Sequence, residues 1–170
     1  MMANMTTLDR ADRAILRLLQ ADGRMPVSLL SERVGLSPNA TATRLRRLLA
    51  EGTISGVHAR VAPEAVGLTL LAFVEVKLER TDGDVFAAFA RAALAADAIE
   101  ECHMVAGGFD YLLRTRHRDM AAYRRFLSDV LLTLPGVRET HTYTVMEAVK
   151  EAGPLDLTPP PVQKGRGAGS

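Results

Sequence analysis

The sequence predicts an α+β protein with an N-terminal (winged) helix-turn-helix domain and a C-terminal ferredoxin-like βαββαβ sandwich. Three observations predict it. Apolar residues recur at helical spacing through residues 8–50, a glycine and a Ser-Pro pair lie between two of those helices, and strand patterns alternate with helical ones from residue 68. The 170 residues, 48% of them hydrophobic, are enough for one domain or two small ones.

Charge is unevenly distributed, although the whole chain carries only +1. Residues 1–56 hold eight basic and five acidic residues, whereas residues 57–150 hold eleven basic and thirteen acidic ones. This asymmetry is typical of a basic nucleic-acid-binding module on a non-basic carrier. Every apolar run is too short for a membrane span, and the N-terminus lacks the apolar stretch of a signal peptide, so we expect a cytoplasmic protein.

The first two helices follow from apolar spacing and from the residues at their ends. Asp9 or Thr7 can cap the first helix, and Asp22-Gly23 ends it. A second, short helix ends at Gly35, because glycine readily adopts the left-handed conformation beyond a helix end. Pro26 and Val27 occupy the turn that opens this helix, so Ser28 is the nearest polar residue that can serve as a cap. The apolar positions of the two helices are Leu8, Ala11, Ile15, Leu18, Leu19, Leu30 and Val34.

The third helix is the candidate DNA-reading element. Ser37 is a good N-cap and Pro38 a good first residue, so the helix starts directly after the glycine turn, as in a helix-turn-helix. At helical spacing one side of it is apolar and the other polar, and arginine, asparagine, threonine and alanine suit contacts to phosphates and base edges. The buried side is Thr41, Leu45, Leu48 and Leu49. The predicted DNA-contacting residues are Ser37, Asn39, Ala40, Thr43, Arg44, Arg46 and Arg47.

An ordinary solvated face is the alternative explanation for three arginines on one helix. The preceding short helix and tight turn favour DNA binding over that alternative. After this module, the alternation of Val57, Ala59 and Val61 with polar residues predicts a half-exposed wing or linker strand within residues 57–67.

From residue 68 the patterns read strand, helix, strand, strand, helix, strand. Val74, Val76 and Leu78 alternate with charged residues in the first strand, and Gly107-Gly108 turns the chain between the second and third strands. The residues that mark the first helix are Val85, Phe86, Phe89 and Ala93, and those that mark the second are Met120, Tyr123, Leu127, Val130, Leu131 and Leu134. The last strand is marked by Thr140, Thr142, Thr144 and Met146. With both helices on one face, the other face of the sheet stays uncovered, and we expect it to pair with another subunit.

These patterns divide the chain into four segments. They are a helix-turn-helix domain at residues 1–56, a linker strand at 57–67, the βαββαβ domain at 68–150 and a tail at 151–170. The tail is rich in proline and glycine, so we expect it to be disordered.

Residues 8–150 resemble the Lrp/AsnC, or feast/famine, family of regulators, and in particular its leucine-responsive branch. The segments that carry the resemblance are LDRADRAILRLLQADGR, ERVGLSP, RLRRLLAEGTISG, ECHMVAGGFDYLLRTR, MAAYRRFLSDVLLTLPGV and TYTVMEAVKE. The resemblance implies an amino-acid-sensing C-terminal domain, double-stranded DNA as partner, and homodimers that assemble to tetramers, octamers or larger particles. It also implies a nucleoid-associated protein and no cofactor besides the amino-acid effector.

The resemblance further implies an effector site in the C-terminal domain. Backbone amides of a glycine turn can bind a carboxylate, an aspartate can face an ammonium group, and threonines can supply hydroxyls. The family's loop usually reads Gly-Asp-Phe-Asp-Tyr, and here glycine replaces the first acid. The alternative is that the two glycines only form a hairpin and Asp110 only satisfies the turn. The implied effector residues are Gly107, Gly108, Asp110, Tyr111, Leu134, Thr142 and Thr144.

Residues that could carry catalysis or bind a metal are poorly arranged. Cys102 and His103 are neighbours on a predicted strand, so their side chains lie on opposite faces and cannot act as nucleophile and base. A single cysteine and scattered histidines predict no metal site, and we expect no catalytic residues.

The expected function is sequence-specific, amino-acid-responsive transcription regulation. The alternatives are an architectural protein that wraps or bridges DNA with weak sequence preference, and a metabolite-binding module without DNA activity.

Overall fold

The computed structural model describes residues 7–80 and 83–159. These residues fall into two compact units. The first unit contains the described residues up to Ala59 together with those from Lys150 onward, and the second is Arg60–Val149. None of the helices in the described residues is long and apolar enough to cross a membrane.

The first unit contains three helices: α1 over Arg10–Ala21, α2 over Val27–Val34 and α3 over Pro38–Ala50. Their apolar faces meet in one cluster, in which Ile15, Leu30 and Leu48 have no exposed surface. Leu16 and Met25 complete the buried part of that cluster. The helix-turn-helix expected from the sequence is therefore formed, with α2 and α3 joined by a three-residue turn.

The ends of these helices explain why they start and stop where they do. Asp9 caps α1 through a reciprocal capping box with Asp12. Gly35 ends α2 at φ 69°, and the Ser37 hydroxyl accepts a hydrogen bond from the backbone N–H of Ala40 at the start of α3. Among the described residues, no side chain caps α2. Its first turn therefore lacks the cap that Ser28 was expected to provide.

The strand predicted within residues 57–67 is not formed. This segment is irregular, apart from a 3₁₀ turn over Pro63–Val66. Val57 and Val61 are 57% and 64% exposed, so the alternating apolar residues do not face a core. Alternation stabilises a strand only where a neighbouring strand and a covering layer are present, and this segment has neither within the described chain.

The tail differs from the disorder expected for residues 151–170, because its described part is fixed to α1. Gln20 accepts a hydrogen bond from the backbone N–H of Leu155 (2.7 Å) and donates one to its carbonyl (3.3 Å). The carbonyl of Leu157 accepts from Arg13 at 3.2 Å, and the Leu157 side chain packs on the apolar cluster of the first unit. The backbone at Leu155 and Leu157 and the side chain of Leu157 thus hold this Pro-rich segment against the first unit. Residues 160–170 lie outside the described residues.

The second unit has the expected βαββαβ order. Its elements are β1 over Leu70–Leu78, α4 over Gly83–Leu94, β2 over Ile99–Met104, β3 over Tyr111–His117, α5 over Met120–Asp129 and β4 over Val137–Thr144. The strands form one sheet in the order β2-β3-β1-β4, and every neighbouring pair is antiparallel. Val74, Val76 and Leu78 are buried, which confirms the predicted alternation in β1. They pack with Phe89 and Phe126, which come from the two helices.

The second helix of this unit is shorter than the sequence pattern predicts. It ends at Asp129, and a 3₁₀ turn over Leu131–Thr133 carries the chain onward. Leu134 is extended at ψ 144°, as expected of a residue that precedes a proline. Leu131 and Leu134 are still buried, so the apolar pattern predicted their burial correctly. It did not predict that the backbone there is no longer α-helical.

Candidate DNA-binding surface and effector loop

The outer side of α3 is polar and accessible. Asn39, Thr43 and Arg46 are exposed, and the Arg46 guanidinium donates to the Thr43 hydroxyl at 3.3 Å. Ser37 and Ala40 lie at the first turn, where the cap fixes the start of the helix. An open groove of about 510 Å³ runs along this side, lined by Asn39, Ala40, Thr43, Arg44 and Arg47. Side chains of this chemistry on an exposed helix are suited to the DNA major groove.

The inner side of α3 agrees with the helical wheel at three positions and differs at one. Thr41 and Leu48 have no exposed surface, and the Thr41 hydroxyl donates to the Ser37 carbonyl at 3.1 Å. Leu45 is half-buried. Leu49, which the wheel also placed inside, is 45% exposed, because it lies one residue before the end of the helix, where the described residues cover it only in part.

Arg44 and Arg47 are not free on this surface, because both pair with carboxylates of α1. Arg44 Nη1 lies 2.6 Å from Asp9 Oδ2 and 2.9 Å from Asp12 Oδ1. Arg47 Nη2 lies 2.7 Å from Asp12 Oδ2, and its Nη1 lies 3.1 Å from Glu51. Each arginine side chain keeps about 30% of its surface exposed. Both therefore retain N–H groups that can reach a ligand in the groove.

The ion pairs also shift protonation equilibria in the expected directions. The hydrogen bond from the Asp12 backbone, followed by that from Arg44, lowers the pKa of Asp9. The hydrogen bond to Asp12 is the largest cause that raises the pKa of Arg44, and likewise that of Arg47. Both arginines therefore stay charged at any physiological pH.

Asp12 was not among the candidate residues, although the sequence contains a signal for it. It precedes Ile15 and Leu16 by three and four residues, which places a carboxylate on the apolar face of α1. A charge in that position has to be paired, and Asp12 is 1% exposed. Its partners are the arginines of α3, and the pattern of residues within α3 alone does not indicate this pairing.

The glycine turn of the second unit is open. Gly107 and Gly108 are exposed, and a Cβ at either position would meet nothing within 4 Å. Asp110 is half-buried, and its Oδ2 accepts the backbone N–H of Leu78 at 2.7 Å. The Asp110 backbone N–H donates to the Val76 carbonyl at 2.9 Å. Asp110 thus satisfies the end of β1, as in the alternative that gives it only a structural role.

Two of the implied effector residues belong to the core. Tyr111 is 3% exposed, its ring centroid lies 4.4 Å from that of Phe89, and burial is the first cause that raises its pKa. Leu134 is 9% exposed and packs in the same cluster. These side chains can support a pocket from behind, but they offer little surface to a ligand.

Thr142 and Thr144 lie exposed on β4, which is an edge strand. The Thr142 hydroxyl is hydrogen-bonded to the Tyr123 hydroxyl of α5. In the strand register Thr144 faces Ala72, whereas Asp110 bonds Leu78 at the other end of β1. These ends are roughly 20 Å apart at the usual rise of about 3.3 Å per residue. The chain therefore does not gather all seven effector candidates into one cavity by itself.

Cys102 and His103 lie on opposite faces of β2, because Cys102 faces Leu113 and His103 faces Leu112 in the strand register. The His103 ring pairs instead with Glu101 at 3.2 Å. Within residues 7–80 and 83–159, no three histidine, cysteine or acidic side chains are placed to hold a metal ion.

Two family models match the chain, one for each unit. The model for winged helix-turn-helix DNA-binding domains matches residues 8–55. The model for the Lrp/AsnC ligand binding domain matches residues 71–155. The two matches divide the chain between a DNA-binding and a ligand-binding part, in agreement with the sequence prediction.

Known proteins resemble the chain over nearly its full length. The leucine-responsive regulatory proteins of Escherichia coli K12 and Salmonella typhimurium are each 51% identical over 148 residues, 87% of this chain and 90% of the relative. Among solved structures, a transcriptional regulator of Neisseria meningitidis in complex with L-Met has a TM-score of 0.83 at 36% identity and covers 89% of this chain and 97% of its own. The feast or famine regulatory protein of M. tuberculosis complexed with L-methionine has a TM-score of 0.75 at 34% identity, over 85% and 96%. The chain belongs to the Lrp/AsnC family of transcription regulators, and to its leucine-responsive branch.

Proposed function

We propose that this protein regulates transcription by sequence-specific DNA binding through α3 and that a small amino acid bound in the second unit controls it. The observation that carries the proposal is the exposed polar side of α3, with Asn39, Thr43 and Arg46, directly after the Gly35 turn of a helix-turn-helix. The family membership supports both halves of the proposal. The proposed role is non-enzymatic, and a protein that binds chromosomal DNA acts in the cytoplasm at the nucleoid.

We propose an α-amino acid as the effector, with leucine and methionine as the first compounds to test. The curated relatives are named leucine-responsive, and two structural relatives were solved with L-methionine. The loop around Gly107 and Gly108 is accessible to such a ligand. Thr142 and Thr144 lie elsewhere on the same sheet, so a second copy of the chain is needed if all seven candidate residues are to serve one site.

The proposed assembly is a homodimer that builds tetramers, octamers or larger particles. Phe73, Leu112 and Tyr143 lie on the sheet face opposite the helices, and Tyr143 is 54% exposed. An uncovered face with apolar and aromatic groups suits pairing with its own copy around a two-fold axis. Such a dimer presents two recognition helices to a pseudo-palindromic DNA site.

The test is a fluorescence-anisotropy titration on the DNA upstream of the protein's own gene and on a shuffled fragment of equal length, at fixed salt. We expect the protein to prefer the upstream fragment over the shuffled one by roughly a thousandfold or more, and its affinity for the upstream fragment to change when the effector is added. A coupling of about 1–3 kcal/mol is enough for that shift. Equal binding to both fragments, unchanged by any amino acid, would support the architectural alternative instead.

Matched variants assign the binding to α3. Arg46→Ala removes an exposed arginine of the proposed surface, whereas Arg91→Ala removes one from the last turn of α4 in the second unit. We expect a loss of preference only in Arg46→Ala, with both variants still folded. An unchanged preference in Arg46→Ala would show that this arginine does not read DNA.

A further inference from the structure

Asp12 connects the first helix of the DNA-binding unit to the helix that is proposed to read DNA. It is 1% exposed and accepts from both Arg44 and Arg47 of α3, at 2.9 and 2.7 Å. It also accepts the backbone N–H of Asp9 at 3.2 Å. Both oxygens of one buried carboxylate are thus used by donors from α3 and from the N-cap residue of α1. Removal of its charge leaves two guanidinium groups without their main partner.

The geometry points to Asp12 as a positioning residue for DNA recognition, an inference that rests on the proposed function of α3. Asp12 holds the guanidinium groups of Arg44 and Arg47 in one arrangement beside the groove, while each keeps about 30% of its side chain exposed. A guanidinium that is already oriented loses less conformational entropy when it makes a bidentate contact. Asp12 therefore acts on DNA only through these arginines.

The charges around Arg44 and Arg47 also affect how these arginines attract DNA. The three carboxylates of Asp9, Asp12 and Glu51 surround only two arginines. Arg44 and Arg47 are therefore neutralised within the unit and attract the phosphate backbone weakly, whereas Arg46 is exposed and pairs only with a neutral hydroxyl in the described chain. The arrangement favours directed contacts by Arg44 and Arg47 over general attraction to any DNA.

The test is Asp12→Asn in the full chain. Asparagine keeps the size of the side chain and can still accept the backbone N–H of Asp9, so the change isolates the charge. We expect the preference for the upstream fragment over shuffled DNA to fall about tenfold, since one well-made arginine–base contact discriminates by roughly 5- to 150-fold. Binding to shuffled DNA is expected to hold or to strengthen.

The salt dependence of DNA binding distinguishes a positioning role of Asp12 from a purely structural one, which would leave that dependence unchanged. Arginines released from Asp12 become available to phosphates, and each new phosphate contact steepens the slope of log K against log salt by about 0.9. We therefore expect a slope that is steeper by about one to two units in Asp12→Asn. Asp22→Asn is the matched control, because it makes the same change in net charge at the end of α1, where the Asp22 side chain accepts only the N–H of Arg24 among the described residues.

Asp12→Glu provides the rescue. Glutamate is a common residue at this position of a capping box and restores the charge, so we expect it to recover most of the preference and the original slope. Far-UV circular dichroism and thermal unfolding establish that each variant is folded. If Asp12→Asn does not fold, Asp9→Asn takes its place, because asparagine is also a good N-cap for α1 and the Asp9 side chain is 50% exposed. Among the described residues Asp9 forms an ion pair with Arg44 only, so a smaller change in the same direction is expected.

Two results would overturn the inference. One is a folded Asp12→Asn, or Asp9→Asn in its place, with preference and salt slope equal to those of the wild type. The other is an equal loss on both DNA fragments with an unchanged slope, which indicates a role in stability alone. A wild-type protein without any preference contradicts the proposed function instead, and the slope on shuffled DNA then still decides whether Asp12 restrains the arginines.

Discussion

His117 is a buried histidine at the end of β3, 6% exposed, and its ring packs beside two aromatic side chains of α5. Its centroid is 4.8 Å from that of Phe126 and 5.3 Å from that of Tyr123. Its Nε2 has no hydrogen-bond partner among the described residues. Burial lowers the pKa of this imidazole, because an apolar site disfavours the charged form.

This histidine makes stability depend on pH. The unfolded imidazole binds a proton as pH falls below about 6.5, whereas the folded one does so only at lower pH, so stability falls as pH drops through that window. We expect His117→Phe to flatten the dependence of the denaturation midpoint between pH 7.5 and 5.5, since phenylalanine keeps a ring and cannot titrate. His58→Phe, at an exposed side chain of the first unit, is the control. Parallel curves for wild type and His117→Phe would contradict this account.

Gly108 and Gly136 are both turn glycines, but only one of them needs to be glycine. Gly136 has φ 74°, and a Cβ there would lie 2.5 Å from Val85 Cγ1, whereas a Cβ at Gly108 would meet nothing within 4 Å. We expect Gly136→Ala to lower the free energy of unfolding by about 1–3 kcal/mol, and Gly108→Ala to leave it nearly unchanged. Denaturant titration measures both. Equal losses would mean that the loop at Gly108 is more constrained than its open surroundings indicate.

At the scale of the element, the returning C-terminal segment forms part of the DNA-binding unit. We expect Leu157→Ala to lower the stability of α1 by about 1 kcal/mol, because the side chain packs on the apolar cluster of that unit. Leu155→Ala is the control, since that side chain is 75% exposed and its hydrogen bonds to Gln20 come from the backbone. Hydrogen exchange of the α1 amides in the full chain reads out the difference. Equal exchange rates in both variants would show that packing of the Leu157 side chain does not stabilise α1.

The elements that the sequence predicted well are those whose signals are local. Capping residues and apolar spacing predicted the three helices of the first unit, and Gly35 ends α2 as expected. The strand within residues 57–67 and the disorder from residue 151 were predicted from local patterns too, but their outcome depends on partners distant in sequence. Val57 stays 57% exposed, whereas Leu157 packs on the apolar cluster of the first unit and its carbonyl accepts a hydrogen bond from Arg17 of α1, 140 residues earlier in the sequence.

The candidate site likewise has features that a local sequence pattern predicts and features that depend on contacts distant in sequence. Exposure of Asn39, Thr43 and Arg46 follows from the helical period alone. The pairing of Arg44 and Arg47 with Asp12 depends on how α1 packs on α3, which a pattern within one helix cannot report. In the second unit the roles of the effector candidates stay predictions, because they lie at different ends of the sheet in a single chain.

At the scale of the whole molecule, the proposed dimer depends on the uncovered sheet face. Leu112 is half-buried there, next to Glu75 of β1 in the strand register. We expect Leu112→Lys to fold, because lysine can pair with Glu75, but to weaken dimerisation at least about tenfold, because the charge loses water when two such faces meet. Leu94→Lys, at a side chain 88% exposed at the end of α4, is the matched control.

Sedimentation equilibrium and the DNA titration together decide the outcome for this pair of variants. A dimer needs both half-sites to gain its full affinity, so a folded Leu112→Lys that becomes monomeric is expected to lose preferential binding to the upstream fragment, even though α3 is unchanged. Leu94→Lys is expected to match the wild type in both measurements. If Leu112→Lys stays dimeric and Leu94→Lys becomes monomeric, the subunits associate through the helix layer, and the sheet face must be covered in another way.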